Sequence, residues 1–372
     1  MFAKVGDVAE QFDTDQEVLD VIFRTNVKLK SSSKVDIEQT VMNNVTLSST
    51  TDHTNVTGDD SIHGDTAAVT ALPQTTTKTS EFCDLIPAAI QGKVVVQLTL
   101  PQYADIEAEN KNLPAGGESS PERCKANFNV AIIVPYRDRA DQLLVFLRHI
   151  HPFLRKQELH YRIYVVNQAD RNNFNRAMLM NVGFTEAMKD FAWDCFIFHD
   201  VDLLPEDDRN IYNCPDQPRH MSVAVDKFKY KLPYKTIFGG VAAIRTDQFK
   251  RLNGFSNLFW GWGGEDDDMS RRIHYRKLKI VRYKPDIARY TMIKHKQQPV
   301  NKERVKILKT SRGRFLTDGL NNLKYKLEER KLLKLYTNIS VQLEHTEFSQ
   351  KSRFSQGKQY IQHLRIAKAK QH

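Results

Sequence analysis

A run of aromatic, glycine and acidic residues stands out in the C-terminal half of the chain, from Trp260 to Asp268 (WGWGGEDDD). Four adjacent carboxylates repel one another and cannot be buried unpaired, and glycines let a ligand approach the backbone. Aromatic faces beside polar groups suit a sugar ring, which has an apolar C–H face and a rim of hydroxyls. The run therefore predicts a saccharide pocket with a catalytic carboxylate. It is also typical of an acidic helix N-terminus, with the helix at Met269 to Arg276, and the two interpretations are compatible.

A second acidic motif, Asp200-Val201-Asp202, follows the apolar run Cys195 to Phe198. At the tip of a strand, side-chain alternation sends both carboxylates to the same side. Hard divalent cations such as Mg²⁺ or Mn²⁺ prefer oxygen ligands, and a cation there could bridge the oxygens of a diphosphate. An isolated Asp-x-Asp is a weak motif, so the position after a buried strand is what favours a metal site.

His295 is another candidate ligand, with Met292 three residues before it. A histidine taken alone is more often an ordinary surface or hydrogen-bonded imidazole. A thioether is too soft to be a preferred ligand of a hard cation. The residue types therefore nominate His295 and leave Met292 in the core.

Strand and helix patterns alternate around these motifs. Short apolar runs predict three strands, and residues at helical spacing predict a helix after each of the first two. This alternation predicts an α/β fold with a mostly parallel sheet and helices on both faces. The predicted strands are Val130 to Val134, Arg162 to Val166 and Cys195 to Phe198; the helices contain Leu143, Leu144, Leu147 and Ile150, and then Asn175 to Lys189.

Each predicted strand ends in polar residues. In such sheets ligands bind beyond the carboxyl ends of the strands. The convergence of arginines and carboxylates there predicts a metal-bridged nucleotide phosphate. The three segments are Pro135 to Arg139, Asn167 to Asp170 and His199 to Asp202.

Composition divides the 372 residues unevenly. Residues 1–80 are rich in Ser, Thr, Asp and Asn and are predicted to be a disordered stem. Residues 81–345 suffice for one sizeable domain, and 346–372 are predicted to be a basic tail. The net charge of +10 suggests anionic partners, but no helix-turn-helix, zinc-finger or RNP-like pattern supports nucleic acid.

The four cysteines lie inside the predicted domain, and none has the CxxC spacing of a zinc or thioredoxin-like site. Three N-x-S/T tripeptides, at Asn44, Asn55 and Asn338, fit a secretory-pathway protein. Two disulfides are plausible in that compartment. Nothing near Met1 resembles a signal peptide or a spanning helix, which by itself favours a soluble protein.

Taken in order, the motifs resemble those of the β-1,4-galactosyltransferase family, over about Cys83 to Leu343. The resemblance implies an inverting, Mn²⁺-dependent glycosyltransferase of the GT-A fold that is resident in the Golgi lumen and membrane-associated. It would add a sugar from a UDP donor to O4 of a terminal GlcNAc. The segments that carry it are Val130 to Arg139, Phe174-Asn175-Arg176, Asp200-Val201-Asp202, Phe238-Gly239-Gly240, Trp260 to Asp268 and Met292 to His295.

The resemblance also implies roles for individual residues. Asp266 takes the position of the general base, and the metal ligands are Asp202, His295 and, against the chemical expectation, Met292. The disulfides would pair Cys83 with Cys124 and Cys195 with Cys214. The donor-binding residues are Pro135, Tyr136, Arg137, Asp138, Arg139, Phe174, Asn175, Arg176, Asp200, Val201, Asp202, Ile237, Trp262 and His295; the acceptor-binding residues are Gly264, Glu265, Asp266, Asp267 and Arg304.

Ile237 bears on the donor sugar, because galactose-transferring relatives carry tyrosine at this place. Members with an aliphatic residue resemble N-acetylgalactosaminyltransferases, so UDP-GalNAc is the expected donor. A β-branched residue could instead simply pack at a strand start. The segment Lys294 to Arg314 resembles the family's lid. The family's membrane-spanning N-terminus is not found in this sequence, and His199 and the basic tail are not explained by the resemblance.

Three alternatives stay open. One is a β-1,4-galactosyltransferase that uses UDP-Gal. Another is a catalytically silent sugar-binding relative, which loss of Asp202, Asp266 or His295 would have favoured, and all three are present. The last is a nucleic-acid-binding protein, which the net charge suggests but no motif supports.

Overall fold

The computed structural model describes residues 9–11, 82–296 and 298–344. The helices of this part of the chain are α1 Tyr103–Glu109, α2 Ala140–Lys156, α3 Arg176–Ala187, α4 Thr246–Arg251, α5 Glu265–Tyr275, α6 Arg304–Lys309 and α7 Ser311–Arg314. The strands are β1 Ala9–Gln11, β2 Glu118–Ser119, β3 Asn129–Tyr136, β4 His160–Gln168, β5 Cys195–His199, β6 Leu203–Pro205, β7 Arg219–His220, β8 Ala224–Val225, β9 Val241–Arg245, β10 Ile280–Arg282, β11 Arg289–Met292, β12 Tyr325–Leu332 and β13 Thr337–Leu343.

The centre of the fold is formed by the three predicted strands. β3 lies between β4 and β5 and pairs with both in parallel, so that Ile132 is opposite Ile163 on one side and Ile197 on the other. Continuous apolar runs form these strands because both faces of the sheet are covered. Within the sheet, the chain passes from β3 to its neighbour β4 on one edge and then returns to β5 on the opposite edge of β3. This reversal makes the carboxyl end of β3 a topological switch point.

Helices cover both faces of this sheet, as predicted. Ile132 and Val134 pack in one core cluster with residues of α2 such as Leu147. Ala131 and Ile133 point the other way and share a second cluster with residues of α3 such as Met178. The alternation of side chains along β3 therefore feeds two separate cores.

The remaining strands extend the sheet and make it mixed. The order is β1-β10-β7-β9-β5-β3-β4-β13-β12, with β2 added on β4. β9 runs antiparallel to β5 and β7, and β12 runs antiparallel to β13, whereas the central pairings are parallel. A separate three-stranded sheet, β6-β11-β8, lies next to the carboxyl end of β5.

The structure joins Cys83 to Cys124 and Cys195 to Cys214, with S–S distances of 1.99 and 2.03 Å, the pairing that the resemblance implies. No described helix is both long and apolar enough to span a membrane. β1 adds a short parallel strand beside β10. The rest of the predicted stem and the predicted tail, 346–372, lie outside the described residues, so both boundaries stay predictions.

Candidate active site

The carboxyl end of β5 is tied to two helices by Arg176, the first residue of α3. Its Nε donates to Asp200 Oδ1 at 2.5 Å, its Nη2 to the carbonyl of Gly240 at 3.1 Å, and its Nη1 lies 3.5 Å from Glu265 Oε1 on α5. Burial raises the pKa of Asp200, and the Arg176 charge opposes that shift. One guanidinium thus brings the Asp-x-Asp motif and the acidic helix together at one edge of the sheet.

Asp202 and His295 meet at this edge although 93 positions separate them in the sequence numbering. His295 Nε2 lies 2.7 Å from Asp202 Oδ2, and this hydrogen bond raises the pKa of His295. β11 brings them together, since it pairs antiparallel with β6, with Met292 opposite Leu203. Asp226 Oδ1 accepts from the Met292 N–H at 2.9 Å, and the Asp202 carbonyl accepts from Ile293 N at 2.7 Å.

A carboxylate oxygen and an imidazole nitrogen are donor types that suit a divalent first-row cation. Met292 lies on the same short segment as His295 and is half-buried. In the described part of the chain, the only three His, Cys, Asp or Glu residues with ligand atoms all within 4.8 Å of one another are Cys83, Cys124 and Glu158. Both of those cysteines are in a disulfide, so the Asp202–His295 pair is the better candidate.

The acidic run forms the first turn of α5, which begins at Glu265. The predicted helix started at Met269, and this start is corrected by four residues. Gly264 precedes the helix with a φ of 97°, a left-handed conformation that favours glycine. The four acidic side chains are stabilised here because the N-terminus of a helix is the positive end of its dipole.

Asp266 is half-buried within this turn. Burial, and then the charges of Glu265 and Asp267, raise the pKa of Asp266 to about 8. Gly239 lies against it: a Cβ at this glycine would be 2.9 Å from Asp266 Oδ2. Tyr234 donates to Asp267 Oδ1 at 3.1 Å. A carboxylate with such a pKa is suited to accept a proton near neutral pH.

Trp262 presents an aromatic face next to this carboxylate cluster, with 51 % of its surface exposed. The Arg304 guanidinium lies 5.4 Å from the centre of its ring. Backbone hydrogen bonds hold the two segments together, from Trp262 N to the Pro299 carbonyl at 2.9 Å and from Asn301 N to the Trp262 carbonyl at 3.0 Å. Arg304 Nη1 and Glu265 Oε2 are buried without a hydrogen-bond partner in the described chain. Unpaired buried polar atoms beside an exposed indole indicate a place for a polar ligand with an apolar face.

The predicted donor segment, Pro135 to Arg139, and the helix α2 that follows it reach the residues on either side of His295. Arg139 Nη2 donates to the Lys296 carbonyl at 2.9 Å, and Gln142 Nε2 to the Lys294 carbonyl at 3.2 Å. Arg137 lies over the Phe174 ring at 5.3 Å and donates to the Asn172 carbonyl at 2.7 Å. Basic side chains from the end of β3 therefore lie beside the candidate metal pair.

Two predicted donor residues have interior side chains. Asn175 caps α3 by accepting from Met178 N at 2.9 Å, and its Nδ2 donates to the Asn257 carbonyl at 2.8 Å. Val201 is buried in the first core cluster. Their side chains therefore shape the neighbouring backbone.

The structure also accounts for His199, which the motifs left unexplained. Its Nδ1 lies 2.8 Å from the Asp200 carbonyl and its Nε2 2.9 Å from the Tyr212 hydroxyl. Burial lowers the pKa of His199 to about 4, so the ring is neutral and supports the turn that carries the aspartates.

Sequence reasoning did not identify Asp226, His220 or Arg282. Asp226 fixes the backbone of the metal-ligand segment, and the other two hold the segment that contains Ile237. No motif surrounds these residues, and only their long-range contacts reveal them.

Comparison with known proteins identifies relatives of this chain. Residues 83–215 match the N-terminal region of glycosyl transferase group 7, and residues 219–296 match the family described as the N-terminal domain of galactosyltransferase. The chain is similar to the catalytic domain of Drosophila β-1,4-galactosyltransferase 7 in complex with xylobiose, with 33% identity, a TM-score of 0.51, and coverage of 59% of this chain and 95% of that one. Fold and site together define a glycosyltransferase of the GT-A fold.

Relatives in sequence narrow this class. Mouse β-1,4-galactosyltransferase 4 is 48% identical over 254 residues, 68% of this chain and 73% of the mouse protein. Mouse β-1,4-galactosyltransferase 2 is 44% identical over 278 residues, 73% of this chain and 75% of the mouse protein. The chain belongs to the β-1,4-galactosyltransferase family, within glycosyl transferase group 7. The family that the motifs indicate is thereby confirmed, and the N-acetylgalactosaminyl branch stays a prediction.

Proposed function

We propose that the chain is a Mn²⁺-dependent, inverting β-1,4-glycosyltransferase that moves GalNAc from UDP-GalNAc to O4 of a terminal GlcNAc. The observation that carries this proposal is the meeting, around Arg176, of the Asp-x-Asp turn and an acidic helix whose Asp266 has a pKa raised to about 8. The relatives are named as galactosyltransferases, and a structure of a variant of the Drosophila enzyme contains manganese, UDP-Gal and xylobiose. Because these relatives are galactosyltransferases by name, UDP-Gal is the alternative donor.

Asp202 and His295 would hold the cation, with Met292 as the third protein ligand implied by the resemblance. Their oxygen and nitrogen atoms, 2.7 Å apart, are the hard and intermediate donors that suit Mn²⁺. When bound, the cation would offset the negative charge that develops on the departing UDP. By accepting from the Met292 N–H, the Asp226 carboxylate holds in place the segment that carries Met292 and His295.

Asp266 would act as the general base. As the acceptor O4 forms its bond to the anomeric carbon, the bond from that carbon to the UDP oxygen breaks and the O4 proton passes to the Asp266 carboxylate. Attack opposite the leaving group turns an α-linked donor into a β-linked product. The raised pKa makes the carboxylate a stronger base than an exposed aspartate.

The acceptor would lie between Trp262 and the first turn of α5. The exposed indole suits the apolar face of GlcNAc. Glu265, Asp267 and Arg304 offer polar groups around it, two of them with buried atoms that have no partner among the described residues. Residues 294–314, which resemble the family's lid, contact both sides of the site: Lys296 is bonded to Arg139, and Asn301 to Trp262. Such a segment could close over bound donor and exclude water.

Ile237 supports GalNAc as the transferred sugar. The residue is half-buried and immediately precedes Phe238-Gly239-Gly240, of which Gly239 contacts the base. A tyrosine there would crowd the donor around C2, whereas isoleucine presents only methyl groups and leaves room for an N-acetyl group. Golgi residence and membrane association likewise stay proposals that rest on the family.

The deciding experiment measures kcat/KM for UDP-GalNAc and UDP-Gal with the purified chain, Mn²⁺ and a GlcNAc-terminated acceptor. We expect UDP-GalNAc to be preferred and Ile237→Tyr to shift the ratio toward UDP-Gal, because pocket size discriminates through transition-state binding. Ile237→Leu is the matched control and should keep the preference. A wild type that uses UDP-Gal at least as well would overturn the donor assignment, and transfer of neither sugar would favour a silent sugar-binding protein.

A further inference from the structure

Two buried side chains hold the segment Lys235 to Gly240 from behind. Arg282, on β10, is only 2 % exposed. Its Nη2 donates to the Ile237 carbonyl at 2.7 Å and to the Lys235 carbonyl at 3.0 Å. Its Nε donates to Nδ1 of His220, on β7, at 3.0 Å. One guanidinium therefore fixes two carbonyls of the segment and one ring nitrogen.

The same contact fixes the tautomer of His220. A guanidinium only donates, so His220 Nδ1 must accept, and the proton of the neutral ring is on Nε2. Nε2 then donates to the Gly239 carbonyl at 3.0 Å, which also accepts from Ser222 Oγ at 3.1 Å. The carbonyls of Lys235, Ile237 and Gly239 are thus all bound by one connected network.

The segment that this network holds touches two features of the proposed reaction. The Ile237 carbonyl is fixed by Arg282, and with it the position from which the Ile237 side chain meets the donor sugar. Gly239, two residues on, leaves the space that the Asp266 carboxylate occupies. A shift of the segment would therefore change both the fit of the donor and the position of the base. Loss of a contact elsewhere in the fold would not act on these two features in particular.

Burial of the Arg282 charge costs free energy. No carboxylate in the described part of the chain pairs with it, and burial lowers the pKa of Arg282 to about 10. Burying a cation without a counter-ion costs free energy. Only a guanidinium has the planar fork of donors that reaches two carbonyls and an imidazole from one side chain.

We propose that Arg282, acting through His220 and the Lys235 to Gly240 backbone, is a positioning residue that sets donor-sugar discrimination. The inference rests on the proposed function, since it assumes a UDP-sugar at Ile237. It does not depend on which of the two sugars the wild type prefers.

The test compares Arg282→Lys with Arg219→Lys. Arg219 is a fully buried arginine on the same short strand as His220, and it likewise donates to carbonyls, those of Ile211 and Asn213. Lysine keeps the charge in both variants and removes the fork. In Arg282→Lys we expect the ratio of kcat/KM for the two donors to move about tenfold toward parity, and in Arg219→Lys to stay near the wild-type ratio. Equal effects of both variants on the ratio would overturn the proposal.

A second readout does not require activity. Hydrogen exchange of a peptide that covers Lys235 to Gly240 should be faster in Arg282→Lys than in Arg219→Lys, because a segment that loses the side-chain contacts holding its backbone opens to solvent more often. If Arg282→Lys does not fold, His220→Gln, which removes the ring at the centre of the network, replaces it in both measurements with the same expected direction. Unchanged exchange would refute the network. Absence of transfer in the wild type, with faster exchange in the variant, would instead refute the proposed function alone.

Discussion

Replacing Asp266 by asparagine keeps the shape of the side chain and removes its ability to take the acceptor proton. A positioned general base contributes about 10²- to 10⁴-fold to turnover, so kcat of Asp266→Asn should fall by that range. The KM values for donor and acceptor should change little, because the amide still fills the space beside Gly239. Asp267→Asn is the matched control: its carboxylate is bonded to Tyr234, and its loss should affect acceptor KM more than kcat.

The pH dependence of the wild type provides the second half of this prediction. Burial, followed by Glu265 and Asp267, raises the pKa of Asp266 to about 8. A base must be unprotonated to act, so kcat/KM should rise with pH and level off above that pKa. A carboxyl with such a pKa is about one-tenth ionised at pH 7, which leaves roughly a tenfold rise to the plateau. In Asp266→Asn this rise should vanish.

Stability should change in the opposite direction. The folded-state pKa of Asp266 lies above the ordinary aspartate value, so the folded protein binds this proton more tightly than the unfolded chain. Stability therefore decreases as pH rises from the ordinary value toward the folded one. Asparagine carries no charge to bury, so the melting temperature of Asp266→Asn relative to wild type should increase between pH 5 and pH 8.

Three measurements check this reasoning: steady-state rates with saturating donor, the pH profile of kcat/KM, and thermal unfolding at both pH values. A variant that turns over like the wild type would reject Asp266 as the base. If Asp267→Asn alone lost turnover, Asp267 would take that role. A melting-temperature difference that is the same at both pH values would reject the buried-charge explanation.

Two further predictions concern the metal and the space around the base. His295→Ala should raise the Mn²⁺ concentration needed for half-maximal activity and lower kcat, and Asp202→Ala should be inactive; full activity of Asp202→Ala in EDTA would contradict the assignment. Gly239→Ala should lower kcat with little change in melting temperature, since its Cβ would be 2.9 Å from Asp266 Oδ2; unchanged kcat would show that the carboxylate moves without consequence.

The sequence by itself determined the centre of the fold and the edge of the sheet at which the candidate site lies. Val130 to Val134 is continuously apolar because β3 is buried on both faces, and a short run of this kind beside turn signals is typical of a buried parallel strand. The order of strands and helices then placed Asp200 and Asp202 at a carboxyl edge, and α/β sheets bind ligands there. The residue types also nominated His295 and a carboxylate of the run Glu265 to Asp268 as candidates, and the resemblance singled out Asp266 within that run.

Other parts of the site could not be found this way. Local composition placed the start of α5 at Met269, whereas the left-handed Gly264 begins it at Glu265. The resemblance, and not the chemistry of a thioether, brought Met292 into the set of proposed metal ligands. For the helix start, the left-handed glycine outweighs the preference of the residue types, whereas the role of Met292 stays a prediction.

Only the tertiary structure decided how distant segments hold one another. Arg282 bonds to residues 45 and 62 positions away, and Arg176 reaches from α3 to the turn after β5 and to α5. The pairing of β9 antiparallel between β5 and β7 is equally invisible in any local pattern. Hydrogen bonds of buried polar groups depend on which strands become neighbours, and neighbours are chosen by the packing of the whole core, so the residues that position this site carry no signature in the sequence around them.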